Sequence, residues 1–174
     1  MKKILFILSM LFATLSVSAA SELKVKSGKW NSLKTEDARV CVKFDYSNAR
    51  WEEGQSYENF CGETYEPRVS ASVETFIYAF NENTTGLKFS EDEQDAKYKF
   101  VFHIKNLERK MSGFGWGRFF IRVYGEIEIL DIASNTTICT IMVNGHAGDA
   151  DYIPEDRLAK CFKALAEQLI KLKK

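Results

Sequence analysis

Residues 96–145 read AKYKFVFHIKNLERKMSGFGWGRFFIRVYGEIEILDIASNTTICTIMVNG, and the alternation inside this stretch decides the fold. Tyr98, Phe100, Phe102 and Ile104 alternate with Lys99, Val101, His103 and Lys105, the pattern of a strand buried on one side. Phe119, Ile121, Val123, Ile127 and Ile129 then share one face, with Arg122, Tyr124, Glu126 and Glu128 on the other. Gly125 falls on the apolar face, where the missing side chain predicts the close approach of a helix. Ser134 and Asn135 make a turn, and a further strand runs from Thr137 to about Gly145 with Cys139, Ile141 and Val143 in phase. The short connections predict an antiparallel meander.

Upstream, Val40, Val42 and Phe44 alternate with Cys41, Lys43 and Asp45 in a first strand. About 20 residues without a clear period follow from Tyr46 to Glu66, carrying Trp51, Gly54, Tyr57, Phe60 and Tyr65. A loop of that length is functional or pinned, and Cys61 is the expected pin. Val69, Val73, Phe76, Ile77 and Phe80 recur at helical spacing after Pro67, and Asn83 to Gly86 end that helix. A closing helix after Pro154 carries Leu158, Cys161, Phe162, Leu165, Leu169 and Leu172 on its apolar side, with Lys171, Lys173 and Lys174 at the negative end of its dipole. A strand leading through a helix into the meander predicts a parallel, right-handed crossover. The expected class is α+β: a two-layer sandwich in which a four-stranded mixed sheet carries two helices on one face, in the order β-α-β-β-β-α.

The first 20 residues, MKKILFILSMLFATLSVSAA, combine two lysines, an apolar run from Ile4 to Val17 and a small-residue end, as a cleavable signal peptide does. The run is short of the roughly 20 residues of a membrane-spanning helix, and no second one follows. Residues 21–38 read as an N-terminal arm or short leading strand, and residues 39–174 as a single α+β domain. The expected location is periplasmic or secreted, with no transmembrane segment in the mature chain and no cysteine at its start to take a lipid anchor. Without Lys2 and Lys3 the chain holds 22 basic and 24 acidic residues, a balance that argues against nucleic acid or an anionic membrane as partner.

Export permits disulfides among Cys41, Cys61, Cys139 and Cys161. No two of them form a C-x-x-C, so zinc-ribbon and thioredoxin-like readings lack support. Cys139 lies on the apolar face of its strand and Cys161 on that of the last helix, while Cys41 faces the other way, beside the loop that carries Cys61. The expected bridges are Cys41 with Cys61 and Cys139 with Cys161.

Three segments could carry chemistry. MSGFGWGRFF, Met111 to Phe120, lacks the lysine and metal-binding carboxylates of a nucleotide-covering loop. Its bland reading is a glycine-rich hairpin tip; its functional reading displays Phe114 and Trp116 beside Arg109, Lys110 and Arg118 as an anchor for a partner. In NGHAGDAD, His146, Asp149 and Asp151, with His103, are weak candidates for a divalent metal, against the simpler reading of an Asp- and Gly-rich turn into a helix cap. His103, Tyr124 and Glu126 share the polar sheet face, which suits acid–base work or plain cross-strand pairing, and His146 could approach them. No recognisable catalytic motif is present, so the chain reads as a non-enzyme with no cofactor.

The succession AKYKFVFHI, GEIEILDIASNT, a strand ending at Gly145, and PEDRLAKCFKALAEQL resembles small exported envelope proteins of unknown function from Gram-negative bacteria, especially Bacteroidetes, whose fold is similar to the N-terminal domain of TolB. The likeness spans Arg39 to Leu172 and brings no catalytic residues with it. The leading functional expectation is an exported, disulfide-bonded binding module. It would engage an envelope or extracellular protein through Phe114, Trp116 and Arg118 or through the loop holding Trp51 and Tyr57. The alternative is a small-ligand or metal binder working from the polar sheet face, and a third reading is a hydrolase of unfamiliar design.

Overall fold

A computed structural model describes residues 23–111, 119–148 and 154–173. The chain runs β1 (Leu23–Gly28), α1 (Trp30–Leu33), β2 (Arg39–Asp45), β3 (Arg50–Trp51), α2 (Tyr57–Cys61), α3 (Tyr65–Asn83), β4 (Lys88–Ser90), β5 (Tyr98–Met111), β6 (Phe119–Asp131), β7 (Thr136–Ala147) and α4 (Pro154–Lys171). One mixed sheet has the order β1-β7-β6-β5-β2-β4, with β3 lying against the second half of β5. β5, β6 and β7 form an antiparallel meander, and β2 joins β5 in parallel.

The sheet therefore has seven strands, not the expected four, and two short helices accompany the two long ones. The additional strands β1, β3 and β4 are six, two and three residues long, too short for periodicity to announce them. β1 comes from the segment read as an arm: Leu23 lies opposite Val143 and Val25 opposite Ile141, so it forms one edge of the sheet. Behind it, the Trp30 indole donates to the Leu169 carbonyl at 2.7 Å, and Lys34 Nζ donates to the Ile170 and Leu172 carbonyls, each at 2.7 Å. The last carbonyls of a helix have no intrahelical donor, and here α1 supplies one. Burial is the larger of the two influences that draw the Lys34 ammonium below its ordinary pKa, the charge of Lys173 the smaller.

α3 and α4 pack side by side over the sheet. Phe44 of β2 meets Phe76 of α3 at 5.2 Å between ring centroids and Phe162 of α4 at 4.9 Å, and Phe80 lies flat on Phe89 at 3.9 Å. Such pairs add to the area they bury, about 0.5–1.5 kcal/mol each. The alternating residues Phe100, Phe102, Val123, Ile127, Ile129 and Ile141 close this core, all at or below 1% exposure.

Two of the sheet's register shifts bear on the positions singled out from sequence. In β5 the shift between Ile104 and Asn106 expels Lys105 and brings Leu107 inward. Gly125 sits opposite this bulge: a Cβ there would stand 2.3 Å from the His103 carbonyl oxygen and 2.8 Å from the Phe102 ring. The glycine thus admits the neighbouring strand, not a helix. In β7 the shift opposite Val123 and Tyr124 places Gly145 at a φ of +71°, and the residue after it changes face.

The loop from Tyr46 to Glu66 is pinned by aromatic packing rather than by Cys61. Tyr46 stacks on Tyr57 at 5.6 Å, Tyr65 closes on both, and Ser56 caps α2 by accepting from the Asn59 N–H at 3.2 Å. The expected disulfides are absent: no bridge joins any two of the four cysteines. Cys161 Sγ donates to the His146 carbonyl at one end of β7, whereas Cys139 lies opposite Ile129 and Gly28 at the other end. Seven strand residues at about 3.4 Å each separate those two ends, far beyond the ~7 Å Cα reach of a disulfide. Cys41 faces the polar side of the sheet, where its thiol donates to the Glu91 carbonyl; Cys61 lies with Tyr57 on the helix side.

Candidate functional site

The irregular segment between β2 and α3 builds one wall of a cleft. β3 is held against β5 by the Arg50–Asn106 and Trp51–Leu107 pairs, and Glu52 donates its N–H to the Leu107 carbonyl at 2.8 Å. These bonds set the Trp51 ring flat on Phe60 of α2, with centroids 4.0 Å apart and planes 10° from parallel. Phe60 is 38% exposed, whereas Tyr57 beneath the pair is buried. Burial raises the Tyr57 hydroxyl far above its ordinary pKa, with Cys61 contributing in the same direction and Arg68 opposing.

The opposite wall is cationic. Arg68 comes from the first turns of α3, Arg109 from the outer part of β5 opposite Ile121, and Arg157 from the start of α4. With Trp51, Tyr57, Phe60, Ile121 and Leu158 they line a cleft of about 110 Å³. The Arg109 and Arg157 guanidinium groups both approach the Phe119 ring, at 5.4 and 5.0 Å. Arg68 Nε is buried without a hydrogen-bond acceptor among the described residues. Among these residues no carboxylate forms an ion pair with Arg68 or Arg109. A second cavity of about 260 Å³ adjoins the first through Arg68 and Leu158 and is otherwise lined by Thr64, Pro67, Ala71, Ser72 and Ala159.

Of the residues singled out from sequence, Trp51 and Tyr57 meet in this cleft, Tyr57 as buried support rather than as an exposed contact. Phe114, Trp116 and Arg118 lie outside the described residues, as do Asp149 and Asp151. Arg68 and Arg157 escaped sequence reading because each stands next to helix residues that look like ordinary solvated positions. The clue available was the unusual aromatic density of the aperiodic segment before Arg68.

The polar face is laid out in pairs between strands. His103 Nδ1 lies 2.9 Å from Asp45 Oδ2 on β2, and Nε2 lies 3.8 Å from Glu128. Glu126, opposite His103 in register, instead accepts from Lys26 Nζ at 2.6 Å. That hydrogen bond is the main cause holding its carboxyl below the usual carboxylate range. The Tyr124 hydroxyl donates to Glu108 at 3.1 Å. His103, Tyr124 and Glu126 thus turn to four other residues and do not form one acid–base set. The shift at Gly145 turns His146 to the buried, helix-covered side, opposite Val123, so it does not approach His103. Among the described residues no three His, Cys, Asp or Glu side chains gather as a metal site, and no helix is long and apolar enough to cross a membrane.

The sequence matches no family model and no curated protein. Solved structures show distant likenesses. The PelC dodecamer from Paraburkholderia phytofirmans is 12% identical, with 87% of this chain and 98% of that one covered at a TM-score of 0.46. A Xanthomonas campestris protein of the DUF330 family is 10% identical, with 85% and 88% covered at 0.43. A neuraminyllactose-binding hemagglutinin homologue from Helicobacter pylori is 8% identical, with 83% and 89% covered at 0.37. The chemistry of this chain therefore rests on its own residues.

Proposed function

We propose that this chain is an exported module that acts by binding a protein partner, and that its recognition face is the Trp51–Phe60 shelf with the arginine cleft beside it. The observation that carries the reading is the parallel Trp51–Phe60 stack at 4.0 Å, left partly open to water next to two cations without described counter-charges. Aromatic and arginine side chains dominate the energetics of protein interfaces because they bury much area at little entropic cost. Both rings are fixed before any partner arrives, which lowers the ordering cost of association. Export rests on residues 1–20, whose charge and apolar pattern is that of a cleaved leader.

The test places a photo-reactive amino acid at Phe60 in producing cells, with a second at Tyr78, which is 69% exposed on α3, as control. The expected outcome is a discrete crosslinked species from Phe60 alone, lost when Arg109 is changed to Gln. Equal capture from both positions, or capture indifferent to Arg109, would overturn the assignment of this face.

A further inference from the structure

We infer that the cleft reads the C-terminal residue of the partner: its carboxylate between Arg68 and Arg109, its apolar side chain in the adjoining cavity. This deepens the proposed function and rests on it. The charge argument comes first. Arg68 holds a buried Nε donor with no acceptor among the described residues, and Arg109 lies in the same cleft with no described carboxylate. A desolvated guanidinium donor is satisfied best by an oxyanion, which takes two parallel N–H bonds at once. The Phe119 ring lies against the Arg109 guanidinium at 5.4 Å and offsets only part of its positive charge.

Size and connectivity narrow the ligand. At about 110 and 260 Å³ each compartment is the size for one small group, a carboxylate in the first and an apolar side chain in the second. They meet at Arg68 and Leu158, so an anion in one compartment lies directly beside an apolar group in the other. An internal Asp or Glu carries its carboxylate at the tip of the side chain and has no apolar group branching from the same carbon. A C-terminal residue such as Leu or Phe has both on one Cα. The Trp51–Phe60 shelf on the rim then covers the residue before it. Capture of a terminal carboxylate together with its side chain is an established mode of peptide recognition.

The full chain is presented with a library of hexapeptides ending in an apolar residue with a free carboxylate, with the same library amidated, and with decanoate alone. Free acids should be selected and their amides should bind roughly ten- to hundredfold more weakly, as loss of charge-assisted hydrogen bonds implies. Arg109→Gln should weaken the acids by a similar factor and leave the amides unchanged. Arg109 is exposed, so this variant keeps its fold; Arg68→Gln serves beside it. Ala71→Leu, which fills the adjoining cavity, should shift selection toward smaller last residues. Equal selection of acids and amides overturns the inference; if Phe60→Ala abolishes that binding, the aromatic face survives as the site and only the terminus reading falls. Absence of any binder in the acid library overturns it as well. So does saturable, Arg109-dependent binding of decanoate without peptide binding, which would make the ligand a free amphiphilic acid.

Discussion

Replacing Trp30 by Phe isolates the contact that ties the first strand and helix to the end of the chain. Trp30 is fully buried, and its indole N–H donates to the Leu169 carbonyl at 2.7 Å, across 139 residues of sequence. Phenylalanine keeps most of the apolar body and deletes the donor. Leaving that buried carbonyl with only the longer 3.3 Å bond from the Leu172 N–H costs about 1–3 kcal/mol. The smaller ring leaves a void worth about 1 kcal/mol at ~24 cal/mol per Å³. The sum, about 2–4 kcal/mol, is a large part of the roughly 5–15 kcal/mol that keeps a domain folded. In urea, with m near 2 kcal/mol/M, the midpoint should fall by about 1–2 M at unchanged m. Lys34→Met should cost less by itself, and the double variant less than the two single losses together, because both side chains satisfy the same helix end. A Trp30→Phe midpoint within about 0.3 M of the parent would refute the view that α1 terminates α4.

Gly125→Ala should lose at least about 2 kcal/mol in thermal or urea unfolding, since the new Cβ meets the His103 carbonyl at 2.3 Å; a loss under about 0.5 kcal/mol would mean the β5 bulge lies elsewhere. The Lys26–Glu126 pair should make stability pH-dependent. Its carboxyl is held below its unfolded value, so the contribution is complete above about pH 4.3 and disappears as pH falls through the folded value. Lys26→Met should therefore cost under about 1 kcal/mol at pH 7 and progressively less as the pH falls through the folded value, by urea titration across that range, and a loss that does not shrink on acidification would contradict the pairing. Thiol labelling of the native chain should start at the half-buried Cys61 and spare Cys139, whose thiol is pushed up to about 11 by burial; fewer than four reactive thiols after denaturation would reveal a bridge.

Alternation in Tyr98–Ile104, Ile121–Ile129 and Cys139–Val143 was legible from sequence because period 2 follows from the pleat alone, and the helices of Val69–Phe80 and Leu158–Leu169 were legible from period 3.6. These signals are local, and they marked out the strands and helices on which the core is built. Tertiary structure decided the rest. A register shift at Gly145 turned His146 to the opposite face from His103, and opposite ends of one strand kept Cys139 from Cys161, although both share the apolar side. Short strands at the edges, the docking of Trp30 under Leu169, and the meeting of Trp51, Phe60, Arg68, Arg109 and Arg157 join residues far apart in sequence. Periodicity assigns each side chain a face of its own element. Which distant element lies against that face is set by strand pairing and core packing, and these exist only once the chain has folded.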